Sequence, residues 1–215
     1  MIRVMPRPVP QLRLAVLASG RGSNFEAIQN EIENQRLPAV IRVVISDKEN
    51  APVLEKARQR GISTCHINPG QFADRRLYEQ ELVRVCEEYK VDLVVLAGYM
   101  RILGETFVGS FPWRIINIHP ALLPSFPGLN AQRQALEYGV RYSGCTVHFV
   151  DLGVDRGPII LQAVVPVNPD DDEESLSERI LKEEHRLLPQ AVKLIAEGRL
   201  ELNGRQVTIL PEEVV

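Results

Sequence analysis

Hydrophobic positions fall into short continuous runs that alternate with stretches in which apolar residues recur every three or four positions. LRLAVLAS (12–19) is a run of the first kind, and after the turn GRGSN (20–24) the stretch FEAIQNEIENQ (25–35) is of the second. An apolar run without alternation reads as a strand covered on both faces, and a spacing near 3.6 residues as one buried face of a helix. The unit repeats: AVIRVVIS (39–46) ends at Asp47-Lys48, and the helical APVLEKARQRG (51–61) can stop at Gly61 before a short strand, STCHI (63–67). RRLYEQELVRVCEEYK (75–90) then predicts a long amphipathic helix, and VDLVVLAG (91–98) another strand buried on both sides. Strands separated by helices need right-handed crossovers, so the pattern predicts an α/β fold: a doubly wound, mainly parallel, Rossmann-like sheet with helices on both faces. Such sheets bind ligands at the carboxyl ends of their strands.

The second half changes character. TVHFVD (146–151) and PIILQAVVPV (158–167) are joined by a short loop, LGVDRG, which lets them pair as antiparallel neighbours and makes the sheet mixed. NPDDDEESLSERILKEEHRLLPQAVKLIAEG (168–198) predicts a long helix, with Ser175 and Glu178 at capping-box spacing. Its acidic entry reads either as a cation site or as carboxylates that favour a helix start. RQVTILPEEVV (205–215) reads as a closing strand and tail. The opening MIRVMPRPVP holds three prolines and no apolar h-region, so residues 1–11 are expected to be a flexible arm before a single domain over 12–215.

Composition narrows the partners. The chain has 215 residues, 45% hydrophobic and 25% charged, which is enough for one well-buried α/β domain. A net charge of −3 gives no general attraction to nucleic acid, so an anionic ligand needs a local site. No stretch approaches the roughly 20 apolar residues that span a bilayer, so no membrane partner is expected. Cys65, Cys86 and Cys145 have no metal-ligand spacing and read as small hydrophobes in a reducing, cytoplasmic compartment.

Three places carry candidate chemistry. Ser19-Gly20-Arg21-Gly22-Ser23-Asn24 lies between strand and helix, where free backbone N–H groups can hold a phosphate and Gly22 permits close approach. It lacks the Gly-Lys-Ser/Thr ending of a Walker loop, and Phe25 stands where a dinucleotide fingerprint has its third glycine. A tight turn capped by Ser23 or Asn24 remains the alternative, and Asp47 occupies the place of a ribose-binding acid in a dinucleotide enzyme. In RIINIHP (114–120), Asn117 and His119 are two apart on a strand that Pro120 ends, so both face one side while Ile116 and Ile118 face the other. A carboxamide can donate to a developing oxyanion, and an imidazole can carry a proton near neutral pH. In LGVDRGPII, Asp155 either caps backbone N–H groups or returns to the crevice and raises the pKa of His119 above its ordinary value of about 6.5. His148 faces this site or a satisfied polar pocket, with the pocket preferred, while His66 and His185 have no partner pattern.

These residues resemble the folate-dependent formyltransferase superfamily, and within it the glycinamide ribonucleotide formyltransferases. The resemblance runs from about Leu12 to Leu202 through LASGRGSNFEAI, LAGYMRIL, NIHPALLPSFPG, TVHFVDLGVDRGPIILQAVVPV and EEHRLLP. It implies that Asn117, His119 and Asp155 are catalytic, that Gly22, Ser23 and Asn24 hold a ribonucleotide phosphate, and that Glu184 meets its ribose. It further implies that 10-formyltetrahydrofolate lies against Arg75, Met100, Arg101, Ile102, Leu103, Asn117 and the loop from Asp151 to Asp155, with no metal. Gln132 stands where many relatives carry histidine, and Leu181 where relatives can carry a longer polar side chain, so neither contact is carried over. The oligomeric state is open.

Rivals remain. Hydrolysis of the same formyl-folate needs only water in place of the amine, but hydrolase relatives carry an added domain in front of the first strand. Relatives that formylate initiator tRNA carry a further C-terminal domain. A noncatalytic nucleotide-binding module would use the phosphate turn alone, and a dehydrogenase would use Asp47.

Overall fold

The computed structural model describes residues 2–4 and 11–212. Its main sheet has seven strands: β2 (Leu12–Leu17), β3 (Ala39–Ser46), β4 (Ser63–His66), β5 (Leu93–Leu96), β6 (Ile115–His119), β7 (Tyr142–Phe149) and β8 (Ile159–Pro166). Their spatial order is β4-β3-β2-β5-β6-β7-β8. The first five are parallel, β7 pairs antiparallel to β6, and β8 pairs antiparallel to β7 at the edge. The expected mixed, doubly wound sheet is therefore the observed one. The chain winds from β2 outward to β3 and β4, then returns to place β5 on the other side of β2, so strand order reverses between β2 and β5. A crevice opens at the carboxyl ends where order reverses.

The unbroken apolar runs become strands because both faces are covered. Along β2, Leu14 and Val16 enter one core layer while Ala15 and Leu17 enter the other. The first layer packs on α1 (Ser23–Glu33), α2 (Pro52–Gln59) and α6 (Glu173–Ala196) through Phe25, Ile28, Leu54, Ile180 and Leu188. The second packs on α3 (Arg75–Glu88) and α4 (Glu105–Ser110) through Leu82 and Phe107. The sequence pattern gives no sign of α4 or of α5 (Ala131–Tyr138). Both are short, of six and eight residues, and α5 buries only Ala131 and Ala135, too few positions to make a readable stripe.

Two expectations about chain ends change. The capping box of α6 is Asp172 with Ser175, not Ser175 with Glu178: Asp172 is extended, accepts the Ser175 N–H at 2.8 Å, and gives its own N–H to Ser175 Oγ at 3.1 Å. Asp171 accepts from Nη1 and Nη2 of Arg179, at 2.7 and 2.8 Å, so the acidic entry is engaged in starting the helix. Within the arm expected over residues 1–11, Ile2–Val4 form a strand, β1, antiparallel to β9 (Leu200–Asn203), and Val4 is buried. β10 (Gln206–Ile209), the predicted closing strand, pairs on the other edge of β9 to complete a separate three-stranded sheet. Residues 1, 5–10 and 213–215 lie outside the described residues. Among the described residues no helix is long and apolar enough to cross a membrane.

Candidate active site

The turn between β2 and α1 is built to approach a ligand with its backbone. Gly22 sits at φ 75°, in the left-handed region, and a Cβ there would lie 2.5 Å from Val53 Cγ2. Gly22 is itself the residue preceding the helix, and neither Ser23 nor Asn24 caps it, so no side chain occupies the first-turn N–H groups. These donors and the positive helix end suit an anion. Asn24 instead turns inward and gives its Nδ2–H to Glu184 Oε2 on α6 at 2.7 Å, while its Oδ1 is buried with no partner among the described residues. Burial pushes the Glu184 carboxyl above its ordinary range, and the Asn24 hydrogen bond opposes that shift. The next residue, His185, also has a buried Nε2 with no partner among the described residues, and it lines a shallow depression with Ser23, Asn30 and Glu31. Sequence reasoning passed over His185, and its only signal was its position next to Glu184.

Asn117 and His119 project from the end of β6 on one face, opposite to the buried Ile116 and Ile118, as their spacing predicts. The loop after β7 brings Asp155 to them. Gly157 permits this return, because a Cβ there would lie 1.6 Å from the Phe149 carbonyl oxygen. Asp155 adopts φ 51°, a left-handed conformation that aspartate tolerates better than most side chains. Its Oδ2 lies 3.4 Å from His119 Nδ1 and accepts the Gly128 N–H at 2.8 Å. Its Oδ1 lies 3.5 Å from Asn117 Nδ2 and 3.6 Å from His148 Nε2. Asp155 therefore both caps a backbone N–H and returns to the crevice to face the imidazole, although the expected rise in the His119 pKa does not follow.

His148 belongs to the cluster, against the preference for a separate pocket. It lies opposite Asn117 in the β6–β7 register, and its Nε2 is 3.2 Å from Asn117 Nδ2. Its Nδ1 meets the Phe149 carbonyl at 2.8 Å, so Nδ1 carries the proton and Nε2 accepts from Asn117. The antiparallel pairing of TVHFV with NIHP was the signal available in sequence.

The charge on His119 also differs from expectation. Burial pushes its imidazole below the ordinary 6.5, and Asp155 and the Phe126 carbonyl pull the other way without prevailing. A ring 4% exposed loses more by desolvation than a carboxylate at 3.4 Å returns. Nε2 lies 2.8 Å from the Phe126 carbonyl, which can only accept, so the neutral ring is protonated there and its free lone pair is Nδ1, beside Asp155. Burial alone would raise the Asp155 carboxyl, but contact with His148, the Gly128 N–H and the positive charge that either neighbouring imidazole carries when protonated together hold it below its ordinary value. The site at rest is a neutral base next to an ionised carboxylate.

The remaining predicted residues fall on neighbouring loops. Arg75 Nη2 donates to the Ile102 carbonyl at 2.8 Å, and its Nε to the buried Glu79 at 2.7 Å. Met100 and Ile102 are exposed, Leu103 is buried, and Arg101 Nε donates to Asp47 at 2.9 Å. Asp151 accepts the Gly153 N–H and so shapes its own loop. Leu17, Leu96, Asn117 and His148 are register partners in one row across four strands. At about 4.8 Å per strand, the end of β2 lies roughly 10 Å from Asn117. The anion cradle and the amide–imidazole–carboxylate cluster thus flank one crevice.

A Rossmann-like sheet with free helix N–H groups at its order reversal, and an amide, imidazole and carboxylate at the next strand end, is an arrangement suited to group transfer. The chain belongs to the formyl transferase family, whose model matches residues 12–192. It is 43% identical over 192 residues to phosphoribosylglycinamide formyltransferase of Escherichia coli, covering 89% of this chain and 91% of that protein. It is 48% identical over 188 residues to the trifunctional purine biosynthetic protein adenosine-3 of Drosophila melanogaster, covering 86% of this chain but only 14% of that relative's length. Among solved structures, glycinamide ribonucleotide transformylase 1 from Symbiobacterium toebii superposes with a TM-score of 0.92 at 52% identity, covering 94% of this chain and 95% of that one.

Proposed function

We propose that this protein transfers the formyl group of 10-formyltetrahydrofolate to the amine of phosphoribosylglycinamide, a step of purine synthesis in the cytoplasm. The observation that carries this reading is the pairing of an anion cradle with a neutral His119 whose free nitrogen faces ionised Asp155. The cradle over Gly22, Ser23 and Asn24 takes the phosphate, and Glu184 takes the ribose hydroxyls. Arg75 and the 100–103 segment, with Met100 and Ile102 exposed, suit a flat ring with polar edges, as does the loop from Asp151 to Asp155, where Leu152 and Val154 are exposed.

Attack of the amine on the formyl carbon places negative charge on the former carbonyl oxygen and positive charge on the nitrogen. Asn117 has a second N–H engaged only at 3.5 Å, which can turn to that oxyanion. His119 Nδ1 takes the proton shed by the amine, and Asp155 stabilises the imidazolium so formed. The same proton then returns to the departing folate nitrogen, a general acid–base cycle worth roughly 10²–10⁴ in rate. Holding both reactants in one crevice supplies the rest of the acceleration.

Hydrolysis of the formyl-folate is the second reading, but it leaves the phosphate cradle and Glu184 without work. Purified protein mixed with formyl-folate should release deformylated folate only when phosphoribosylglycinamide is present. Release at the same rate without the amine would establish the hydrolase, and binding without turnover would establish a nucleotide-binding module.

A further inference from the structure

Asp47 is a carboxylate that the proposed chemistry does not use. It stands just past the end of β3, 5% exposed, and is no longer available to a ribose because both of its oxygens are engaged. Oδ1 accepts the Ser19 hydroxyl at 2.6 Å, and Oδ2 accepts Arg101 Nε at 2.9 Å. Ser19 Oγ in turn accepts the Met100 N–H at 3.0 Å, and the Ser19 N–H reaches the Gly98 carbonyl at 3.0 Å. Ser19 opens the phosphate turn, whereas Met100 and Arg101 open the segment on the other side of the order reversal. One buried carboxylate therefore ties together the two walls of the crevice.

We infer that Asp47 is a positioning residue that sets the phosphate turn and the 100–101 segment in fixed relation, so that it governs the affinity of both substrates without touching either. This rests on the proposed placement of phosphate at Gly22–Asn24 and folate at Met100–Leu103. The physical basis is that a charge-assisted hydrogen bond to a buried carboxylate is short, strong and directional. Ser19 and Arg101 are both oriented by it, and Arg101 remains partly exposed, with its guanidinium anchored through Nε. Loss of the carboxylate frees both loops to sample other arrangements, and each ligand must then order its own wall on binding.

The two sides separate by substitution. Asp47→Ala removes both links, and KM should rise about tenfold for each substrate while kcat changes by less than about threefold. Asp47→Asn keeps an acceptor for Ser19 but has no charge for Arg101, so the amine KM should return close to wild type while the folate KM stays raised. A purely structural role would lower thermal stability in both variants without this split. Should Asp47→Ala not fold, the asymmetry of Asp47→Asn alone decides the matter, because equal KM values to wild type for both substrates overturn the inference. Arg101→Ala distinguishes the two levels of argument. An unchanged folate KM in that variant overturns the folate placement and this inference with it, whereas a raised folate KM with no effect of either Asp47 variant overturns the inference alone.

Discussion

Asn24 and Glu184 are 160 residues apart in the chain and meet through a 2.7 Å hydrogen bond between the carboxamide nitrogen and a buried carboxylate oxygen. The bond joins the first turn of α1 to the middle of α6, so the anion cradle and the carboxylate beside it are one assembly. Burial leaves the carboxylate in an unfavourable place, which the Asn24 hydrogen bond only partly relieves. Its pKa is raised by burial, so folding makes its ionisation less favourable.

For an acid with a raised pKa, the cost of ionisation is absent below the unfolded value of about 4.3 and complete above the folded value. Glu184→Gln removes that cost and can also donate to the unpartnered Asn24 Oδ1. At pH 7.5 the variant should be more stable by on the order of 1 kcal/mol, or about 2–4 °C in Tm. The gap should close by pH 4. Affinity for the ribosyl substrate should fall in the same variant. A melting curve at pH 7.5 no higher than that of wild type would count against the buried, costly carboxylate.

The neutral His119 makes a prediction about pH. If the unprotonated ring is the working base, kcat/KM should fall on the acid side with an apparent pKa below 6.5. Asp155→Asn removes the charge that pulls this pKa up, so the acid limb should move further down while kcat drops by about 10²–10⁴. Asparagine tolerates the left-handed backbone at this position, so the fold should survive. An acid limb above 6.5 in the wild-type profile would mean that attraction to Asp155 outweighs burial after all.

His148 is expected to act through Asn117. His148→Phe keeps the ring volume but takes away the acceptor at 3.2 Å that orients the carboxamide. Turnover should fall about ten- to a hundredfold with KM values little changed. Retained kcat in steady-state assays would show that Asn117 needs no such partner.

At Gly22 the backbone and the packing agree. Gly22→Ala has to accept a left-handed φ and a methyl 2.5 Å from Val53 Cγ2, so it should cost about 1–3 kcal/mol in urea unfolding. Inorganic phosphate, which should protect the wild type modestly, should no longer do so. Wild-type stability in this variant would mean that α2 can give way and that the close approach is not needed.

Much of this was legible in the sequence. Unbroken runs such as VDLVVLAG are strands because parallel sheets are covered on both faces, and the two-residue spacing of Asn117 and His119 fixed their common face. What local pattern could not reveal were α4 and α5, whose packing is supplied by neighbours, and the cap of α6, where three successive aspartates offered several starts. His148 reads in sequence as part of a separate polar pocket because its alternation with Val147 and Phe149 fits a buried strand equally well with or without a site beside it.

The sequence by itself determined the α/β winding, the turn at Gly22 and the pair on β6, since each depends on neighbours within a few positions. Only the tertiary structure decided which distant groups meet: Asp155 with His119, Asn24 with Glu184, and Asp47 with both Ser19 and Arg101. It also decided the charge on His119, because desolvation depends on everything packed around the ring and no local pattern of residues contains that information.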